Sequence, residues 1–99
     1  MSKVVFTIQY EVNSAKRNDY LQVIKELKTL LVVDGLESYN VYELKGKENH
    51  FHEFYRFASE EAYEAFDDDQ NERINILISK LNDMTSGTKY STLHELQLS

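Results

Sequence analysis

The sequence predicts a single α+β domain with the element order β-α-β-β-α-β. Three observations support this prediction. Short stretches alternate between apolar and polar side chains, as strands do, and longer stretches between them carry apolar side chains at helical spacing. The chain has 99 residues, which is close to the usual size of one domain. We therefore expect residues 1–99 to fold as one unit.

The first strand is predicted over residues 4–12. Successive side chains of a strand point to opposite faces of the sheet, so this alternation gives one apolar face and one more polar face. The apolar face consists of Val4, Phe6, Ile8, Tyr10 and Val12, and the polar face of Thr7, Gln9 and Glu11.

A helix is predicted to follow this strand. Asn13 and Ser14 are suitable caps for its start, because their side chains accept hydrogen bonds from free backbone N–H groups. Asp34 and Gly35 are expected to end it, since glycine readily adopts the left-handed conformation that follows a last helical turn. The apolar side of the helix consists of Tyr20, Ile24, Leu27 and Leu31.

The second and third strands are predicted over residues 38–44 and 50–57. The segment between them, residues 45–49, contains a glycine and reads as the loop of a hairpin. The third strand has the sequence HFHEFYRF, in which two histidines, a glutamate and an arginine alternate with aromatic residues.

A second helical region is predicted to begin at Ser59, a capping residue followed by two acids that favour the positive end of a helix dipole. The acidic run at residues 67–70 interrupts its apolar side and predicts a solvated kink between two helices. Ser86 and Gly87 are expected to end the second of these helices. A fourth strand is predicted over residues 90–98.

Right-handed crossovers fold this order into a four-stranded antiparallel sheet with both helices on one face, the ferredoxin-like arrangement. The other face of the sheet is then left open, and we expect it to carry large side chains from the middle strands. An open apolar face predicts a partner, and a two-fold homodimer is the closed, self-complementary solution.

Composition excludes several classes of function. The formal net charge is −6 and no cluster of lysine and arginine stands out, so nucleic-acid binding is not expected. The absence of cysteine excludes disulfides, thiolate nucleophiles and cysteine-based metal sites. No apolar run approaches membrane-spanning length and no signal peptide is recognisable, so a cytoplasmic location without membrane contact is predicted.

Two stretches resemble a known superfamily. GLESYNVYEL, residues 35–44, is similar to the glycine-led second strand of the dimeric α/β-barrel proteins. HEFYRFASEEAYEAF, residues 52–66, is similar to their third strand and following helix. Within that superfamily the chain resembles the antibiotic-biosynthesis-monooxygenase-like domains, and the element order matches over essentially the whole chain.

The resemblance implies a dimeric barrel and, for an enzyme, cofactor-independent chemistry on a small aromatic or polyketide-like molecule. The pattern of that branch often has a glutamate where Tyr55 stands and histidines where Phe66 and Asn71 stand. Because these polar positions are lost, the resemblance carries over the architecture and not the catalytic residues. Glu53 lies two residues from Tyr55 and therefore on the same face of the strand.

His50 and His52 also share a strand face, which is an acceptable arrangement for two metal ligands. A metal would need a third ligand from a neighbouring strand. The remaining histidine, His94, lies on the fourth strand, which is not expected to neighbour the third. We therefore expect no metal site and a histidine pair that is solvent-exposed or hydrogen-bonded locally.

Glu53 shares its face with Phe51, Tyr55 and Phe57. A carboxylate packed under helices costs several kcal/mol unless it is paired. We therefore expect this face to point into the barrel between two protomers, with Phe54 on the other face beneath the helices. The predicted pocket residues are Gln9, Glu53, Tyr55, Phe57 and His94, of which His94 is the group on the fourth strand that would titrate near neutral pH.

Two functional hypotheses remain open at this point. In the first, the pocket holds a small apolar or aromatic ligand and Glu53 or His94 moves a proton, without any cofactor. In the second, the protein is a non-catalytic ligand-binding or structural dimer, in which Glu53 and Tyr55 only complete the interface.

Overall fold

The order of secondary-structure elements agrees with the prediction. The computed structural model describes residues 3–68, 71–96 and 98. Its elements are β1 (Val4–Val12), a short 3-10 turn (Ser14–Lys16), α1 (Arg17–Leu30), β2 (Leu36–Glu43), β3 (His50–Phe57), α2 (Glu60–Asp68), α3 (Glu72–Met84) and β4 (Thr85–His94).

The four strands form one antiparallel sheet in the order β2-β3-β1-β4. β1 and β3 are the central pair, and their register places Phe6 opposite Tyr55 and Ile8 opposite Glu53. The predicted α+β, ferredoxin-like arrangement is thereby confirmed.

Local sequence explains how the 3-10 turn before α1 and how helix α3 begin. The Asn13 side chain accepts a hydrogen bond from the Ala15 N–H at 2.9 Å, and the Asn71 side chain accepts one from the Ile74 N–H at 3.1 Å. Both asparagines thus satisfy backbone donors that a first turn leaves free. The predicted interruption is confirmed, because α2 ends at Asp68 and α3 begins at Glu72. The rest of the acidic run, residues 69 and 70, lies outside the described residues.

The predicted start of the fourth strand is wrong by five residues. Ser86 and Gly87 do not end a helix, because β4 already begins at Thr85. Gly87 has a φ of 64°, and the pairing of β1 with β4 shifts between Gln9 and Glu11 at the same level. The glycine therefore serves an irregularity within the strand, as glycine does in many β-bulges.

Gly35, just before β2, allows α2 to pack close to the sheet. Its φ is 88°, and a Cβ atom added there would lie 2.5 Å from Cβ of Ala62 in α2. Its carbonyl oxygen accepts a hydrogen bond of 2.8 Å from the N–H of Ala58, just before that helix. The glycine-led second strand is thus required both by backbone conformation and by close packing.

The core lies between one face of the sheet and the helices. α1 contributes Tyr20, Val23 and Leu27 to it, and α3 contributes Ile74, Leu77, Leu81 and Met84. The sheet contributes the apolar face of β1 together with the odd-numbered residues of β3, of which Val4 and Phe57 are fully buried. None of the helices in the described ranges is long and apolar enough to span a bilayer.

The prediction of which face of β3 the helices cover is wrong. Phe54 lies opposite Thr7 of β1, on the face away from the core, whereas Glu53, Tyr55 and Phe57 face the helices. The prediction assumed that a carboxylate could not be accommodated beneath helices. The structure accommodates it with tyrosine hydroxyl groups from neighbouring strands.

Candidate functional site

A cavity of about 220 Å³ lies between the helix-covered face of the sheet and α2 and α3. Its wall is largely apolar, with threonine and asparagine side chains from the start of β4 and the end of α3. The aromatic part of the wall consists of Phe6, Tyr10, Tyr55, Phe66 and Tyr90. An aromatic wall with a few polar groups is the usual composition of a small-molecule site.

Glu53 is the acidic group in this wall, and its side chain is 1% exposed. Its Oε1 atom accepts a hydrogen bond of 2.6 Å from the hydroxyl of Tyr39 and a longer one of 3.3 Å from the hydroxyl of Tyr55. Tyr39 is on β2 and Tyr55 is on β3 itself, so the sheet register brings both donors to the carboxyl group.

Two further tyrosines complete the polar cluster. The hydroxyl oxygens of Tyr10 and Tyr20 lie 2.7 Å apart in a hydrogen bond that joins β1 to α1. The Tyr10 hydroxyl also interacts with Glu53 and favours its ionised form. Every buried side-chain polar atom among the described residues has a hydrogen-bond partner, so this network is satisfied by the protein's own groups.

Burial raises the pKa of the Glu53 carboxyl above its ordinary value of 4.5. The hydrogen bond from Tyr39, the nearby Tyr10 hydroxyl and the longer hydrogen bond from Tyr55 stabilise the ionised form and oppose that shift without cancelling it. The pKa values of the surrounding tyrosine hydroxyls are also raised, which takes them further from neutral pH. Burial and the nearby Glu53 charge raise the pKa of Tyr39 and of Tyr55, and both stay protonated hydrogen-bond donors.

No lysine, arginine or histidine is found among the described residues that line this cavity. Within the described part of the cavity wall, Glu53 therefore has hydrogen-bond donors but no counter-charge. A carboxyl group with these properties can take a proton from a bound molecule and return it, which is the task of a general base and acid.

The structure brings together two of the five predicted pocket residues, Glu53 and Tyr55. Phe57 lies on the same face but is fully buried, and its ring packs against those of Tyr63 and Phe66 at centroid distances of 5.5 and 5.3 Å. It belongs to the core beneath the cavity.

The grouping of Gln9 with Glu53 is wrong, because Gln9 lies on the open face of the sheet. Its side-chain amide lies 3.2 Å from Nδ1 of His52. His94 is exposed at the end of β4, beyond the part of that strand that lines the cavity. Strand alternation explains the position of Gln9, since the residue opposite Glu53 on β1 is Ile8, which in turn pairs with Tyr90 of β4. His94 pairs with Val4 and so shares the face of Tyr90, but it lies four residues further along β4.

Sequence reasoning missed most of the polar cluster. Tyr10, Tyr20 and Tyr39 stand at positions where the surrounding pattern is aliphatic and buried. A buried tyrosine needs a partner for its hydroxyl group, so several tyrosines on core faces indicate a buried acceptor. That signal was present in the sequence and points to Glu53.

The histidine pair of β3 makes local contacts on the open face. Nδ1 of His50 lies 3.2 Å from the carbonyl oxygen of Glu48, and His52 contacts Gln9. In the part of the chain that the structure describes, no cluster of three or more acidic or histidine side chains is suited to hold a metal ion.

A larger groove of about 640 Å³ lies between α1 and α3 at the protein surface. Exposed charged side chains, among them Lys25 and Glu26, line it. A hydrogen bond from Arg73 lowers the pKa of Glu26, so this carboxylate is ionised and paired at neutral pH. The smaller cavity, which contains a buried carboxyl group with a raised pKa, is the better candidate site.

No protein-family model matches this sequence, and no curated protein matches it either. Solved structures do match. The cofactor-independent oxygenase SnoaB from Streptomyces nogalater is 11% identical with a TM-score of 0.81, and the alignment covers 99% of this chain and 97% of that one.

Two further structures show the same likeness. A protein assigned by name to the antibiotic biosynthesis monooxygenases, from Deinococcus radiodurans, is 13% identical with a TM-score of 0.81, covering 97% of this chain and 95% of that one. A conserved protein of unknown function from Bacteroides thetaiotaomicron, described as a possible oxidoreductase, is 16% identical with a TM-score of 0.80, covering 95% of this chain and 98% of that one. At such low identity the likeness concerns the fold. The chain therefore has the ferredoxin-like fold of the antibiotic-biosynthesis-monooxygenase-like proteins, as the two sequence stretches predicted.

Proposed function

We propose that the cavity beneath the helices binds a small aromatic molecule, and that Glu53 takes a proton from it in a cofactor-independent, monooxygenase-like reaction. One observation carries this proposal. A carboxyl group that is 1% exposed and has a raised pKa lines an aromatic cavity that contains no counter-charge among its described residues.

The chemistry requires a substrate with a weakly acidic C–H group. Glu53 removes a proton from a methylene group that the aromatic rings activate, and the resulting carbanion is electron-rich enough to reduce O₂ itself. The methylene carbon becomes a carbonyl, with one oxygen atom in the product and the other released in water. The likeness in fold to a cofactor-independent oxygenase supports this choice of reaction.

The hydroxyl groups around Glu53 suit this role. The donors Tyr39 and Tyr55 stabilise the carboxylate that must be present before proton transfer. The wall beside Glu53 is largely apolar, and the rings of Phe6 and Tyr90, whose centroids lie 6.0 Å apart in a stacked arrangement, offer a flat surface to an aromatic substrate.

The proposal includes a homodimer formed through the open face of the sheet. Aromatic and apolar side chains lie there without a described helix above them, and Tyr42 is 56% and Leu93 is 50% exposed. The ring of Phe54 packs against those of Tyr42 and His52 on this face. A second copy is the partner that would cover such a patch symmetrically.

Anthrone is a suitable test molecule, because its methylene group lies between two aromatic rings. Oxygen uptake and the appearance of the quinone would be followed with the parent protein and with Glu53→Gln, whose side chain has the same shape but cannot accept the proton. We expect the parent protein to accelerate the reaction and Glu53→Gln to bind anthrone without turnover.

Equal rates for both proteins would contradict the role of Glu53. Binding of anthrone without turnover by the parent protein would favour the alternative, a non-catalytic ligand-binding protein. If neither anthrone nor smaller aromatic compounds bind, the result would favour the hypothesis of a purely structural dimer, in which the cavity has no ligand.

A further inference from the structure

We infer that Tyr39 is a positioning residue of this site, which sets the orientation and the basicity of the Glu53 carboxyl group without touching the substrate. The inference rests on the proposed function, since it assigns a role to Glu53 in proton transfer. It names a residue that the sequence alone did not indicate.

The geometry distinguishes Tyr39 from the other donor. Both Tyr39 and Tyr55 donate to Oε1 of Glu53, but the bond from Tyr39 is shorter, at 2.6 Å against 3.3 Å. Tyr55 is part of the cavity wall, whereas Tyr39 is not among the residues that line the cavity. Tyr39 therefore acts on a bound molecule through its hydrogen bond to Glu53 and not by direct contact.

Tyr39 is itself firmly held. Its side chain is 5% exposed, and its ring packs against that of Tyr55 with the centroids 4.7 Å apart. Its backbone oxygen accepts a hydrogen bond of 3.0 Å from Nζ of Lys28, which ties β2 to α1 at this residue. A donor fixed in this way keeps one carboxyl oxygen anchored, and a carboxylate retains further acceptor positions for a group in the cavity.

The groups around the Glu53 carboxyl also support this role for Tyr39. The titratable groups packed around the Glu53 carboxyl are hydroxyls of Tyr10 on β1, Tyr20 on α1, Tyr39 on β2 and Tyr55 on β3. All are uncharged hydroxyls, and those of Tyr39 and Tyr55 donate to the carboxyl group, so hydrogen bonding is what stabilises the carboxylate against burial. The shortest of these bonds is expected to make the largest contribution.

The test uses Tyr39→Phe, which removes the hydroxyl and keeps the ring. The ionisation of Glu53 would be followed in the full chain, without ligand, by infrared spectroscopy of the protonated carboxyl band, identified by its loss in Glu53→Gln. We expect the Glu53 pKa to rise by about one to two units in Tyr39→Phe, as for loss of a hydrogen bond to a charged acceptor. Tyr42→Phe, an exposed tyrosine on the opposite face, is the matched control and should leave the Glu53 pKa unchanged.

The pH profile of anthrone oxidation gives a second readout. In Tyr39→Phe the midpoint of the rise in rate with pH should move upward by the same one to two units, while anthrone affinity stays within about twofold of the parent. An unchanged Glu53 pKa would overturn the inference. A large loss of anthrone affinity would overturn it as well, because it would show that Tyr39 contacts the ligand.

A fluorinated tyrosine at position 39 keeps the test decisive where Tyr39→Phe does not fold. Ring fluorination makes the phenol a stronger hydrogen-bond donor, so the Glu53 pKa should fall instead of rise. No shift in either direction would overturn the inference. The infrared readout requires no turnover, so absence of anthrone oxidation would count against the proposed function and not against the assignment of Tyr39 as the residue that sets the Glu53 pKa.

Discussion

Ile8 of β1 lies directly opposite Glu53 of β3 in the register of the central strand pair. Because directly opposed residues of an antiparallel pair share a face, this relationship places the Glu53 carboxyl on the face that the helices cover. The buried position of the acid and the part of the aromatic cavity that β1 and β3 form follow from that register.

The buried carboxyl group predicts how stability depends on pH above 4.5. Its pKa in the folded protein is raised above 4.5, so the folded state binds more protons than the unfolded state between 4.5 and the raised value. Stability should therefore fall as pH rises through this interval, by about 1.4 kcal/mol per pH unit at most. Glu53→Gln should remove this decline, as urea unfolding across pH 4.5 to 8 would show. A decline of the same slope in Glu53→Gln would assign it to another group.

The acid side of the pH profile should be governed by different residues. Arg17 donates two hydrogen bonds to Glu43, at 2.7 and 2.9 Å, and these together with a backbone bond from Asn49 lower the pKa of Glu43 to about 2. This pair should favour the folded state above 4.5 and lose that effect as pH falls towards 2. Glu43→Gln should make acid unfolding less steep below pH 4.5 and leave the slope above it unchanged. Circular dichroism during acid titration measures this, and an effect confined to higher pH would contradict it.

The two faces of β3 should respond differently to truncation. Phe57 is fully buried in the core, so Phe57→Ala should lower the free energy of unfolding by about 3–5 kcal/mol. Phe54→Ala, on the open face, should destabilise a single chain much less. Chemical denaturation at low protein concentration compares the two. A larger loss for Phe54→Ala would mean that the assignment of the faces is reversed.

Assembly should depend on the open face. The protein is expected to sediment as a dimer at micromolar concentration, and Phe54→Asp should produce a folded monomer, because it places an unpaired charge in the proposed interface. Tyr55→Asp is the matched comparison on the helix-covered face and should impair folding of the chain itself. A monomeric parent protein, or a Phe54→Asp variant that remains dimeric, would remove the proposed interface.

Most of the fold was predictable from the sequence, because alternation and helical spacing are local signals. The bounds of β1 and β3 agree with the prediction, and the cap at Asn13 is where the pattern placed it. The start of β4 was not predictable in this way. Ser86 and Gly87 resemble a helix stop locally, and only pairing with β1 reveals that they lie within a strand.

The site was predictable only in part. Glu53 and Tyr55 stood out in the sequence, but the prediction of the sheet face that they occupy depended on the free-energy cost of burying a carboxylate. That argument assigned Glu53 to the open face because a carboxylate beneath helices is costly unless it is paired. It omitted phenol donors, and Tyr39 lies 14 residues away in the sequence yet 2.6 Å away in the structure. Such a pairing depends on the register of β2 with β3, which alternation alone does not give.

The central claim is that Glu53 is the titratable group of a ligand-binding cavity. The most direct test is a ¹³C NMR titration of protein labelled at the glutamate carboxyl carbons, with and without anthrone and with Glu53→Gln to assign the signal. The account predicts that one glutamate, Glu53, titrates above all the others, and that anthrone shifts its signal while leaving the remaining glutamates unchanged. A Glu53 signal that titrates near 4.5, or that does not respond to anthrone at saturation, would contradict the account.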